Sequence, residues 1–173
     1  MQVLLTAHPE TLWPPVRGIS VGIGRRGDRL WVRYRLDGEL DRVRWPEPSP
    51  AVRTDGLWKQ TCFEVFVRVG STYYEFNLAT SGQWASYRFD GYRQGMVAAE
   101  EKVVLVVLDG RSDYRDIGAL FDLPAGADLL ALSAVIEDID GGISYWAFNH
   151  PPGKPDFHHP DSFALVVPPP ETA

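Results

Sequence analysis

The stretch CFEVFVRVGSTYYEFNLA, residues 62–79, decides the fold, because two runs of alternating side chains flank a short turn. In the first run, apolar residues alternate with Glu64 and Phe66, which is the period of a β-strand with two unlike faces. A two-residue turn at Gly70-Ser71 would pair the runs as a hairpin. This register predicts that Glu64 lies opposite Asn77 and that Phe66 lies opposite Glu75.

A second turn, at Ser81-Gly82, predicts a third strand beside the hairpin. With two turn residues, Trp84 and Arg88 would share a face with the glutamates, and Arg88 would lie beside Glu75. Such a face combines rings with polar groups and is typical of a saccharide site, because rings stack on sugar C–H faces and carboxylates bind hydroxyls. The alternative is a second apolar layer that covers the face and buries a Glu75–Arg88 ion pair. The predicted face comprises Glu64, Phe66, Tyr73, Glu75, Asn77, Trp84, Ser86 and Arg88.

Short β-rich runs separated by Gly, Pro, Asp and Ser continue along the chain. They predict an all-β fold, an antiparallel β-sandwich of about ten strands, as one domain over residues 1–168 with a mobile tail at 169–173. The segment YRDIGALFDL, residues 114–123, is instead predicted as a helical turn. Strands are predicted near 2–7, 17–25, 28–36, 41–45, 61–69, 72–79, 83–89, 103–109, 128–138, 142–149 and 163–167.

The composition argues against several classes of protein. The 173 residues carry a formal net charge of −6 with scattered basic residues, which disfavours nucleic acid and anionic lipid as partners. A single cysteine, Cys62, excludes an internal disulfide framework. No apolar run reaches the ~18 residues of a membrane span, and the N-terminus MQVLLTAHPE lacks the basic lead of a signal peptide. We therefore expect a cytoplasmic protein.

The stretch DGLWKQTCFEVFVRVGSTYYEFNLATSGQWASYRF, residues 55–89, resembles the DOMON-like superfamily, which includes the family-nine carbohydrate-binding modules. The resemblance rests on a loop tryptophan at Trp58, a strand with Glu and aromatic residues, the run YYEFN at 73–77 and a Gly-Trp turn that ends at Trp84. The segment YWAFNHPPGKPDFHHPDSFAL, residues 145–165, looks like the end of a small bacterial subgroup of this superfamily, of unknown function.

The resemblance implies a β-sandwich that binds either a sugar or heme. In the sugar binders two tryptophans clamp a terminal saccharide and calcium ions brace loops. Trp58 matches the first of these rings, and Trp146 lies where a second clamp could come from. The heme binders use a methionine and a histidine as axial ligands. Met96 is the one methionine besides Met1, and its charged loop departs from that pattern, which argues against heme.

Residues 150–162 gather three of the four histidines with four prolines and two aspartates. Three interpretations stay open. The side chains anchor a stiff loop whose prolines lack backbone donors, or His150 and His158 close the ligand site, or the segment binds zinc. The weak metal candidates are His150, Asp156, His158, His159 and Asp161.

Carboxylates offer two more alternatives. Glu64 and Glu75 could serve as the acid and nucleophile of a glycoside hydrolase, although a neighbouring Arg88 would hold Glu75 ionised. The cluster EDIDGG, residues 137–142, could bind calcium or form an ordinary β-turn. Its three possible calcium ligands are Glu137, Asp138 and Asp140.

The sequence therefore predicts a non-catalytic module that binds a small polar ligand, above all a saccharide. No cofactor is required, with calcium or zinc left open, and neither nucleic acid nor membrane is an expected partner. The oligomeric state is open. The predicted binding residues are Trp58, Glu64, Phe66, Tyr73, Glu75, Asn77, Trp84, Arg88, Trp146, His150 and His158.

Overall fold

Twelve β-strands form the fold, and all ladders between them are antiparallel. A computed structural model describes residues 1–171, without the side chains of 106–108. No helix in this range is long and apolar enough to cross a membrane. The strands are β1 (Gln2–Ala7), β2 (Val16–Arg26), β3 (Arg29–Gly38), β4 (Cys62–Val69), β5 (Thr72–Leu78), β6 (Trp84–Phe89), β7 (Val97–Ala98), β8 (Val103–Gly110), β9 (Tyr114–Asp122), β10 (Leu129–Glu137), β11 (Ile143–Ala147) and β12 (Leu165–Val166). The 3-10 helices are Leu40–Arg42, Leu57–Lys59 and Pro160–Ser162.

The strands follow one another in the order β7-β6-β5-β4-β10-β11-β1-β2-β3-β9-β8, with β12 paired to β10. Strand β1 changes layers, since its first four residues pair with β2 and its last two residues pair with β11. We call β7, β6, β5, β4, β10, β11 and β12 the front layer, and β2, β3, β9 and β8 the back layer. The predicted antiparallel β-sandwich is confirmed.

The central hairpin has the predicted register. Val69 pairs with Thr72 across the two-residue turn, and Gly70 supplies the positive φ of 59° that such a turn requires. Glu64 accordingly lies opposite Asn77, and Phe66 lies opposite Glu75.

The predicted register of the third strand was wrong by one residue. Ala79 donates its N–H to the Gln83 carbonyl at 3.0 Å, so three turn residues separate the strands where two were expected. Glu75 therefore pairs with Tyr87. Because a shift of one residue reverses a strand's faces, Trp84, Ser86 and Arg88 point away from the glutamates. Ala85, Tyr87 and Phe89 take their place.

Residues 114–123 form strand β9, so the predicted helical turn was also wrong. Ile117, Ala119 and Phe121 are buried and alternate along a strand that pairs with both β3 and β8. Two ladder partners outweigh the local helical preference of the segment. The weak strand predicted at 41–45 is a 3-10 turn with an isolated bridge from Val43 to Asp138.

Aromatic contacts join the two layers. Phe76 of β5 stacks on Phe121 of β9 with 4.4 Å between ring centroids, and Tyr34 of β3 lies 5.1 Å from Phe63 of β4. The Tyr34 hydroxyl also donates a hydrogen bond of 2.9 Å to the Glu64 carbonyl. This bond fixes the back layer directly beneath the strand that carries Glu64.

Loops cover the outer face of the front layer. Phe157 and Phe163, from the loop after β11, pack into a second apolar cluster with Phe66 and Tyr73. The alternative interpretation expected an apolar covering of this face, and loops provide one. It also expected a Glu75–Arg88 ion pair, which is absent from the described residues, where Arg88 pairs with Asp90.

Part of the segment predicted as a mobile tail lies against β2. The Glu171 N–H donates to the Arg25 carbonyl at 2.7 Å, and the Trp31 indole donates to the Glu171 carboxylate at 2.8 Å. Residues 172–173 lie outside the described residues, and the mobility of the tail stays a prediction.

Phe76→Ala should lower the free energy of unfolding by about 3–5 kcal/mol, because it removes a fully buried ring from the contact between layers. Urea unfolding of the purified variant measures this loss. Leu12→Ala is the matched control, since Leu12 is exposed and should cost less than about 0.5 kcal/mol. Equal costs for the two substitutions would contradict the described core.

Candidate ligand-binding cleft

A cleft of about 390 Å³ opens on the outer face of the front layer, directly above Glu64 and Glu75. The sheet supplies its floor, and three loops supply its walls. It therefore lies where the alternation of β4 and β5 predicts the polar face. The lining residues are Trp58, Glu64, Glu75, Phe89, Arg93, Met96, Val135, Tyr145, Pro155, Phe157 and His158.

The two carboxyl groups on the floor are almost completely buried, at 3% exposure for Glu64 and 4% for Glu75. Ser133 of β10 donates its hydroxyl to Glu64 Oε2 at 3.3 Å. Asn77 donates its amide nitrogen to Glu75 Oε1 at 2.9 Å. Both donors are neutral, so neither carboxyl has a cationic hydrogen-bond partner in the described part of the chain.

Burial makes the charged form of each glutamate unfavourable. It raises the pKa of Glu75 to about 7, against smaller opposing effects of the Asn77 hydrogen bond and the Arg93 charge. Burial also raises the pKa of Glu64 well above its usual value, and repulsion from the Glu75 charge adds to this rise. Glu64 therefore favours its protonated form, and Glu75 is divided between its protonated and ionised forms near pH 7. A protonated carboxyl group can donate as well as accept hydrogen bonds.

A chain of hydrogen bonds orients His158 above the floor. The Arg93 backbone N–H donates to the Tyr73 oxygen at 3.1 Å, and the same oxygen lies within hydrogen-bond distance of His158 Nδ1, at 2.9 Å. The other ring nitrogen, Nε2, lies 3.7 Å from Glu75 Oε2. Burial, followed by the Arg93 charge, lowers the pKa of His158 to about 4, so the ring is neutral at pH 7.

Asp156 holds the walls of the cleft together. It accepts hydrogen bonds from the Tyr92 hydroxyl, from Arg93 Nη2 at 2.9 Å and from the His158 N–H at 3.1 Å. Arg93 itself adopts a left-handed backbone with φ of 54°, which is rare for a residue with a side chain. These bonds stabilise that conformation and connect the loop after β6 to the loop after β11.

Aromatic side chains form the upper part of the cleft. The Trp58 indole is 38% exposed and meets the Tyr87 ring edge-on at 6.0 Å. Phe89 stacks on Tyr73 at 4.7 Å, which fixes the ring that holds His158. The walls therefore combine one accessible indole with rings that are locked by packing.

The structure brings some predicted site residues together and separates others. Trp58, Glu64, Glu75 and His158 line the cleft, and Phe66, Tyr73 and Asn77 lie on the same face as supporting residues. Whether each binds a ligand stays a prediction.

Four predicted residues lie elsewhere. Trp146 is buried in the sandwich core, where its indole donates to the Ser144 hydroxyl at 3.1 Å. His150 lies 2.8 Å from the Thr6 carbonyl and edge-on to His8. The shift in register places the other two residues on the opposite face of β6. There Trp84 packs beneath the Arg53 guanidinium, and Arg88 pairs with Asp90 at 2.9 Å.

Several lining residues were missed at the sequence level. Tyr145 follows from strand alternation once Trp146 is assigned to the core, and Phe89 follows from the correct register. Arg93 and Met96 lie in an irregular loop where no periodic pattern places a side chain. The remaining missed residues are Val135, Pro155 and Phe157.

The five metal candidates of the histidine-rich loop take separate positions. Among the described residues, no group of three or more His, Cys, Asp or Glu side chains is placed to share a metal ion. His159 accepts the Asp161 N–H at 3.2 Å, as an anchor of the loop would. The expectation that no metal is required stays a prediction.

The acidic segment 137–142 forms a tight turn. Asp138 accepts the N–H groups of Asp140 and Gly142, each at 2.8 Å, and Glu137 pairs with Arg44 at 3.0 Å.

Met96 and His158, the residue types considered for heme, both line the cleft. The expectation that heme is not the ligand stays a prediction.

No protein-family model matches the sequence, and no curated protein matches it. Among solved structures, the fold is similar to a crystal structure from Bacteroides uniformis that is described as a "putative carbohydrate-binding protein". The two chains share 15% identity with a TM-score of 0.63, over 96% of this chain and 85% of the other. At this identity the likeness shows the fold alone.

Glu75→Gln should become more stable relative to the wild type as pH rises. The folded-state pKa of Glu75 is about 7 and its ordinary value is 4.5, so the unfolded chain ionises first. The contribution of protonated Glu75 to the free energy of unfolding is fully present below about pH 4.5. It is lost as pH rises through about 7, whereas glutamine does not titrate. The relative gain across this window is on the order of 3 kcal/mol, measured by urea unfolding at a series of pH values.

Glu47→Gln serves as the control for this titration, because Glu47 is exposed and the substitution should keep the wild-type pH profile. A constant stability difference between Glu75→Gln and the wild type across the window would contradict a buried, protonated Glu75.

Proposed function

We propose that the cleft binds a saccharide and that the protein acts as a binding module. The observation that carries this proposal is a pair of buried carboxyl groups, Glu64 and Glu75, beneath walls made of aromatic rings. Two further observations support it: the sequence resemblance of residues 55–89 to DOMON-like modules, and the similarity in fold to a Bacteroides uniformis protein described as a "putative carbohydrate-binding protein".

Each part of the cleft has a role in this proposal. The accessible Trp58 ring stacks on the C–H face of a sugar ring, and Phe89 and Tyr145 enclose it from the sides. Glu64 and Glu75 bind hydroxyl groups, since a carboxyl group with a raised pKa can both donate and accept. The volume of about 390 Å³ lies at the lower end of ligand sites, which span about 300–1,000 Å³, and suits a ligand of one or two rings.

Trp58→Ala should weaken saccharide binding about tenfold, because it removes the accessible stacking surface. Tryptophan fluorescence, titrated with mono- and disaccharides, measures affinity for the wild type, and calorimetry measures it for the variant. Separate titrations with added calcium or zinc test whether either ion contributes. Trp13→Ala is the matched control, since Trp13 is exposed and is not among the residues that line the cleft.

Saturable binding that depends on Trp58 and survives Trp13→Ala supports the proposal. A sugar affinity that Trp58→Ala leaves unchanged, or the absence of binding across the panel, would contradict it.

Glycoside hydrolysis is a second candidate, favoured by the raised pKa values of the two buried glutamates. The expected obstacle to hydrolysis was an ion pair with Arg88, and the structure places Arg88 on the other face. Protonated Glu64 could give its proton to the glycosidic oxygen as the C–O bond breaks, while ionised Glu75 takes a proton from the water that attacks the anomeric carbon.

Hydrolysis predicts release of a nitrophenol from nitrophenyl glycosides, with rates that fall at least about a hundredfold in Glu75→Gln. A pure binding module instead binds these glycosides without turnover. Saturable binding with no product over long incubation would exclude hydrolysis of the tested glycosides.

A further inference from the structure

The floor of the cleft is rich in hydrogen-bond acceptors and lacks a cationic partner. Glu64 and Glu75 bond only to the neutral donors Ser133 and Asn77. Within residues 1–171, no lysine or arginine nitrogen lies within 4.0 Å of either carboxyl group. The Asn77 side-chain oxygen is also buried without a hydrogen-bond partner. A donor that enters from the cleft would add to the hydrogen bonds of these acceptors.

The nearby arginine does not fill this role. Arg93 Nη2 pairs with Asp156 at 2.9 Å, and half of the Arg93 side chain is exposed to solvent. Its charge reaches the two glutamates only at a distance, where it opposes the larger effect of burial on their pKa values. His158 is neutral, so two ionised glutamates would leave the cleft with a net negative charge.

The other titratable groups around the floor add no positive charge. The Glu64 charge raises the pKa values of the Cys62 thiol and the Tyr34 phenol, and the Glu75 charge raises those of the Tyr73 and Tyr87 phenols. Burial raises the pKa of all four, so each stays protonated and neutral. Tyr87 donates to Asp55 at 2.6 Å, which places that carboxylate's charge behind the ring. None of these groups supplies positive charge to the floor.

The walls suit a cation as well. Aromatic ring faces carry negative potential and attract ammonium groups that lie within about 6 Å. Trp58, Phe89 and Tyr145 line the cleft above the carboxyl groups. An ammonium group brings three donors and no acceptor, which is the complement of two carboxylates beneath aromatic rings.

We propose that the ligand is a saccharide with a positively charged amino group, which lies over Glu64 and Glu75 while the sugar ring stacks on Trp58. This inference rests on the proposed saccharide function and narrows it to amino sugars. A divalent ion fits less well, since the described residues offer no set of three ligands for it.

Binding of this ligand should be linked to proton release. Without a ligand, the two carboxyl groups keep protons to a higher pH than ordinary glutamates do, because burial raises their pKa values. An ammonium group stabilises their charged forms, so the site loses a proton when the ligand enters. Affinity should therefore increase as pH rises from about 5 to about 7, as long as the amine stays protonated.

Isothermal titration calorimetry with glucosamine, glucose, N-acetylglucosamine and cyclohexylamine, an amine without a sugar ring, tests this inference near neutral pH. Glucosamine should bind about tenfold more tightly than either neutral sugar, since hydrogen bonds between charged groups are the stronger ones. Repetition in two buffers of different ionisation enthalpy should reveal net proton release for glucosamine. This measurement uses the wild type and is independent of how any variant folds.

Glu64→Gln and Glu75→Gln should each remove most of the preference for glucosamine, while Glu47→Gln should keep it. Both glutamines preserve the size and one acceptor of the original side chain. Thermal unfolding of each variant verifies that it is folded before titration.

The outcomes separate the inference from the saccharide function. Glucose and N-acetylglucosamine binding as tightly as glucosamine would overturn the inference and leave saccharide binding intact. Binding of cyclohexylamine alone, lost in Glu75→Gln, would support the ammonium site and overturn the saccharide function. Absence of binding for all four compounds would overturn both.

Discussion

Burial of the front layer on both faces is the constraint on which the site depends. The inner face packs against the back layer through contacts such as Phe76 on Phe121, and loops cover the outer face. Polar side chains of the outer face are therefore removed from bulk water. Glu64 and Glu75 must then hydrogen bond to neutral neighbours, remain protonated or meet a ligand. The raised pKa values of the two glutamates therefore follow from the alternation of β4 and β5, which places both side chains on the covered face.

Strand periodicity predicted the floor of the cleft, and turn length decided what surrounds it. The turn at Gly70-Ser71 has the two residues that its sequence indicates, so the pairing of Glu64 with Asn77 was correct. The next turn has three residues, and a sequence that contains Ser81-Gly82 is compatible with both lengths. One extra residue reversed the faces of β6 and moved Arg88 away from Glu75. The positions of Arg93 and Met96 depend on an irregular loop, which no periodicity describes.

The histidine-rich loop contains side chains that anchor it and one histidine that lines the cleft. Asp156 and His159 bond to the backbone and to neighbouring side chains, as anchors of a proline-stiffened loop do. His158 also lines the cleft, where its Nδ1 lies 2.9 Å from the Tyr73 hydroxyl oxygen. Sequence alone could not divide these roles, because His158 and His159 are adjacent and differ only in the direction of their side chains. His150 lies apart, against Thr6.

The chain separation between floor and walls has a consequence for the order of assembly during synthesis. Tyr73 and His158 meet across 85 residues of sequence, and β4 finds its second ladder partner only in β10. Until β10 and the loop after β11 emerge from the ribosome, the strand that carries Glu64 has an unpaired edge and an uncovered acidic face. Glu64 and Glu75 acquire their raised pKa values only when the loop covers them, because burial is the cause of the rise. The chemistry of the cleft is therefore complete only after most of the chain has been synthesised.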